Sequence, residues 1–90
     1  MGYRVGSCGR TAAEQRYIQA TLDIFAQLPP ERQEAVRTAI AQTARTPAEG
    51  IALFRMLVQH KTLSATAAAT KIPARRLSQL RKDFFALMPL

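Results

Sequence analysis

The punctuation of this chain constrains its fold more than anything else in it. Thr11-Ala12-Ala13-Glu14 and Thr46-Pro47-Ala48-Glu49 are both capping-box sequences, in which a threonine hydroxyl and a glutamate three residues on satisfy the first amides of a helix. Pro29-Pro30, Pro73 and Pro89 stop whatever precedes them, because proline restricts its predecessor and donates no amide hydrogen bond. Between these marks the apolar residues recur at helical spacing and never alternate as in a strand. Five short helices are therefore expected, with short connections and no strand: an all-α fold.

The first helix starts at Thr11, with Tyr17, Ile18, Thr21, Leu22, Ile24, Phe25 and Leu28 as a broad apolar face, and ends at Pro29-Pro30. The second runs from about Pro30 to Ala44 behind a thin face of Ala35, Val36, Ala39, Ile40 and Thr43. The third opens at the second capping box and reaches about His60, with a stripe of Ile51, Phe54, Leu57 and Val58 and with Leu53 beside it. Thr62 caps a fourth helix from Leu63 to Thr70, and the fifth runs from Ala74 to about Met88. Residues 1–10, with three glycines and no periodicity, read as a flexible tail ahead of one helical domain, 11–90. Ninety residues leave too little chain for two independent cores.

The segment from Thr62 to Lys82 has a finer pattern. Ala67 is small where two helices would cross, Ile72 is apolar in the turn, and Leu77 and Leu80 share one face of the second helix. This segment resembles the DNA-binding helix-turn-helix superfamily, as in phage and plasmid repressors. It departs at Lys71, where the family usually has glycine, and at Thr66 and Thr70, where it usually has aliphatic residues. A left-handed backbone at Lys71 would cost about 1 kcal/mol. The resemblance implies that the third to fifth helices form a three-helix unit, with the first two capping its core or pairing with a second copy. Leu28 to Val36, LPPERQEAV, also has a distant similarity to the start of the last region of bacterial sigma factors, although the distance from there to Thr62 is longer here by about one helix.

Charge follows the same segment. The formal net charge is +7, and Arg55, Lys61, Lys71, Arg75, Arg76, Arg81 and Lys82 fall in a stretch from Arg55 to Lys82 that contains no acid. A polyanion is the natural partner of such a surface. In the helix-turn-helix reading the fifth helix lies in the major groove of double-stranded DNA. Arg75, Ser78 and Gln79 would then face base edges, with Ala74 against a thymine methyl. Thr62, Ser64, Lys71, Arg76, Arg81 and Lys82 would reach phosphates. The tail arginines, Arg4 and Arg10, are further candidates for a phosphate or the minor groove, although the tail reads first as simply disordered.

Other chemistries find little footing. His60 and Cys8 are single and far apart, the six acids are scattered, and there is neither metal-ligand spacing nor a glycine-rich phosphate loop. No enzyme activity, cofactor or metal is expected, and His60 reads as a partner of helix-terminal carbonyls. The apolar runs are too short for a membrane span, no secretory signal pattern opens the chain, and a lone cysteine suits a reducing cytoplasm. The C-terminal FFALMPL is rich in apolar side chains, and Phe85 lies about 80° off the Leu77–Phe84 seam at helical spacing. Either the first helix covers it or a homodimer does, and a dimer also suits palindromic half-sites. The expectation is a cytoplasmic bacterial or phage regulator of transcription. Its rival is a helical module docking on a host protein through the basic hairpin, and RNA is a weaker third partner because the basic stretch has no aromatic residue.

Overall fold

A computed structural model describes residues 9–90, and the chain is all-α. The helices among the described residues are α1 (Ala12–Asp23), α2 (Pro30–Thr43), α3 (Pro47–Leu57), α4 (Leu63–Thr70) and α5 (Ala74–Leu87), with a 3-10 turn at Phe25–Gln27. Arg4 and Cys8 lie outside the described residues.

The threonine hydroxyls cap their helices as the sequence implies. Thr11 Oγ1 accepts from the Glu14 amide at 3.1 Å while the Thr11 amide donates to Glu14 Oε1 at 2.9 Å, a complete capping box. At α3 only half of the box forms. Thr46 Oγ1 accepts from the Glu49 amide, but the Glu49 carboxylate turns away and accepts from the Arg45 amide at 2.8 Å. Thr62 caps α4 by accepting from the Ala65 amide at 3.0 Å.

One core unites all five helices. Ile18 and Leu22 of α1 join Val36, Ala39 and Ile40 of α2, Ala52, Leu53 and Leu57 of α3, and Leu77, Leu80, Phe84 and Phe85 of α5. Helices α3, α4 and α5 pack pairwise, and α2 packs on both α3 and α5. The first two helices thus belong to the same core as the last three. Thr66 of α4 is 1% exposed, filling the place of an aliphatic residue with its methyl while its hydroxyl donates to the Thr62 carbonyl at 2.8 Å. Burying a hydroxyl is tolerable because it is bonded.

Four expectations are corrected. Tyr17 and Ile24, expected on the buried face of α1, are 50% and 51% exposed. The helix ends at Asp23, and Ile24 leaves helical geometry (φ −111°, ψ 27°) so that the 3-10 turn can point Phe25 inward. On α3, Ile51 is 56% exposed, whereas Ala52, Leu53 and Leu57 are buried. That helix is apolar over a wide arc, and its contacts with α2, α4 and α5 select the Leu53–Leu57 side. Phe84 and Phe85 are both buried within a single chain, their rings meeting edge to face at 6.0 Å. Because α5 is packed against α2, α3 and α4, it buries a wider arc than a helix with one neighbour. Phe85 therefore supplies no free surface for a dimer. Arg10, read as part of the flexible tail, grips the end of α5. Its Nε donates to the Phe85 carbonyl at 3.0 Å, and its Nη2 to those of Ala86 and Met88 at 3.2 and 2.6 Å. These are helix-terminal carbonyls with no intrahelical partner, and a cation there also meets the negative end of the helix dipole.

Candidate nucleic-acid interface

The connection between α4 and α5 is three residues, Lys71 to Pro73. Lys71 has a left-handed backbone (φ 62°, ψ 18°), and its amide bonds the Ala67 carbonyl at 2.9 Å. Glycine is the usual residue at such a helix end because it carries no Cβ penalty. Ile72 is half-buried in the turn and packs against the core, as a plug between the helices should. Pro73 then sets the start of α5.

Helix α5 separates its two sides cleanly. Leu77, Leu80 and Phe84 are buried, while Arg75, Gln79 and Lys82 are exposed and Ser78 is half-exposed. At helical spacing these four occupy an arc of about 100° facing away from the core. Ala74, at the start of the helix, is exposed as well. Pro73, Arg75, Arg76 and Gln79 line a shallow depression of about 620 Å³ beside the turn. Gln79 Nε2 donates to Asp83 Oδ1 at 2.9 Å, which orients the amide. A carboxamide has a second N–H and a carbonyl oxygen, so the groups that would pair with an adenine edge are still available.

The six residues assigned to phosphates have different surroundings. Ser64, Lys71 and Lys82 are exposed. The exposed Arg81 lies with its guanidinium 5.9 Å from the centre of the Phe85 ring, a cation–π contact that steadies it without consuming its donors. Thr62 uses its oxygen as the acceptor that caps α4. Arg76 departs most from expectation, because the structure gives it a partner. Its Nε and Nη2 reach Glu49 Oε2 and Oε1 at 2.9 and 3.2 Å, a two-pronged bridge between α5 and the first turn of α3. The hydrogen bonds from Arg76 hold the Glu49 carboxyl below its usual range, assisted by the Arg45 amide and opposed by desolvation. The same bonds push the Arg76 guanidinium above its usual range. Free phosphate-facing charge on the hairpin is thus smaller than the residue count implies. The other exception to expectation is His60, which turns toward Asp23 (Nε2 to Oδ1, 3.5 Å) and has a left-handed backbone (φ 57°).

The Glu49–Arg76 bridge was not visible in the sequence. The two residues are 27 positions apart, and Glu49 already had a local use in its capping box. Among the described residues no three His, Cys, Asp or Glu side chains come together as a metal site, and no helix is long and apolar enough to cross a membrane. Comparison of the chain with protein-family models, curated proteins and solved structures yields no match.

Proposed function

We propose that this chain binds double-stranded DNA by laying the exposed face of α5 in the major groove, and that it acts as a small regulator of transcription. The observation that carries this reading is the solvent face of α5, where Arg75, Gln79 and Lys82 stand clear of the core beside an exposed Lys71 in the tight turn. Arg75 offers a fork for guanine and Gln79 an amide for adenine. Lys71, Arg81, Lys82 and Ser64 surround that face with groups suited to phosphates. One such helix reads few base pairs, so two copies on adjacent half-sites complete the proposal, and a bound dimer would occlude a promoter.

The test is the double variant Arg75→Ala, Gln79→Ala. Each good bidentate base contact contributes about 1–3 kcal/mol of discrimination. The variant should lose preference at adjacent positions of a selected site while keeping most of its weaker binding to unrelated duplexes. An unchanged sequence preference would remove the base-reading role from this face. Persistence of binding at high salt, or recovery of a defined protein partner after nuclease treatment in place of DNA, would favour a protein-docking role for the hairpin.

A further inference from the structure

We infer that the groove between α2 and α3 is a second binding surface, built for an acidic amphipathic helical segment of another protein. The groove has a cavity volume of about 530 Å³, with Ile40, Pro47, Ile51 and Phe54 among its apolar lining and Arg37 and Arg55 on its two walls. No acidic residue lines it. An adjoining cavity of about 410 Å³ shares Arg37, Ile40 and Pro47, adds Arg45, and also contains no acid.

Three observations argue for an occupant of this chemistry. Ile51 is 56% exposed in a helix whose neighbouring apolar residues are buried, so the floor of the groove has an anchor point still in contact with water. The floor also rests on an aromatic contact: Phe54 meets Phe25 edge to face at 5.6 Å, and the Arg37 guanidinium sits 5.4 Å from the Phe25 ring centre. Finally, neither Arg37 nor Arg55 takes part in an ion pair among the described residues, which leaves both guanidiniums for carboxylates that flank an apolar anchor. A helix placing large apolar side chains at i, i+3, i+4 and i+7, with acids beside them, satisfies both the floor and the walls. A second copy of this chain, with 13 basic against 6 acidic residues, is a poorer complement to arginine walls than an acidic segment. DNA would leave the apolar floor unused.

The groove also lies apart from the proposed DNA face. Ile51 is about 160° around α3 from Glu49 at helical spacing. Glu49 points at Arg76 of α5, so the groove opens on the other side of the helix. A protein partner and a duplex could therefore be held together.

The probe is a labelled peptide about four turns long, with Leu and Phe on one face and Glu and Asp on the others. The control has the same composition, scrambled so that the apolar residues share no face. Amide chemical-shift mapping should place the peptide at Ile40, Ile51 and Phe54. Affinity measured by anisotropy should fall about tenfold or more in Arg37→Glu/Arg55→Glu and in Ile51→Ser. Arg55→Gln alone, at an exposed side chain in the last turn of α3, should weaken binding while lowering the melting temperature only slightly, which separates loss of charge from loss of fold. The inference is overturned by shifts centred on Arg75 and Lys82, by equal binding of the scrambled control, by indifference to the charge reversals, or by no perturbation at millimolar peptide.

Discussion

Lys71 joins stability and function at one position, and the two effects can be separated. Its backbone is left-handed (φ 62°, ψ 18°), a conformation that brings Cβ close to the following carbonyl and costs an L-residue about 1–2 kcal/mol. The side chain is exposed, and the bond from its amide to the Ala67 carbonyl, 2.9 Å, does not depend on residue type. Lys71→Gly therefore changes one local quantity, the Cβ penalty. Glycine's greater freedom in the unfolded chain offsets part of the gain, leaving a net stabilisation of about 1 kcal/mol. For a domain of this size that raises Tm by about 4–8 °C. Lys71→Ala keeps the penalty and removes the charge, so its stability should stay close to that of the parent. If Lys71 meets a phosphate, both variants should lower the slope of log K against log salt by about 0.9. Urea titrations and anisotropy on a duplex at several salt concentrations read the two effects separately. Destabilisation by Lys71→Gly would refute the left-handed turn. Unchanged salt slopes in both variants would remove Lys71 from the DNA contact while leaving the turn intact.

Three other perturbations follow from named contacts. A Cβ on Gly50 would meet Ala44 Cβ at 3.8 Å and Ile40 Cγ2 at 3.9 Å, ordinary contacts, so Gly50→Ala should stabilise α3 by about 0.4–1 kcal/mol, and a loss of stability in thermal melts would contradict that packing. Glu49→Gln should lower stability at neutral pH by weakening the Arg76 bridge. Because folding depresses the Glu49 carboxyl, its contribution is present above the ordinary carboxylate range and fades as pH falls through the depressed value. The stability gap between parent and variant should therefore close in acid, and a gap independent of pH would show that the carboxylate charge is not what matters. Arg10→Ala removes three bonds to the end of α5 and should cost about 1–2 kcal/mol in urea denaturation, with no change expected only if that clasp does not hold in solution.

What could be read directly from the chain was what depends on near neighbours. Thr11, Thr46 and Thr62 start helices where their hydroxyls reach an amide three residues on, and Lys71 takes the backbone that a tight turn between two helices demands. The solvent face of α5 was legible for the same reason, since Leu77, Leu80 and Phe84 fix which side is buried and Arg75, Gln79 and Lys82 take the other. Choices set by tertiary packing were not. Helix α3 has apolar residues over most of its circumference, so periodicity alone could not say that Leu53 faces inward and Ile51 outward. Phe85 lies about 80° off the Leu77–Phe84 seam, and its burial follows from the packing of α5 against three helices, which spacing within one helix does not reveal. Arg76 and Arg10 found partners 27 and 75 or more residues away, beyond any spacing rule, and both were withdrawn in part from the charge count that pointed to phosphates.

The claim that α5 reads DNA is tested most directly by selecting bound duplexes from a random pool, with light scattering on the same sample. The account predicts one enriched motif, arranged as two half-sites about one helical turn apart, and a mass of two chains on it. Failure of any motif to rise above the pool, with every duplex bound alike, would contradict it.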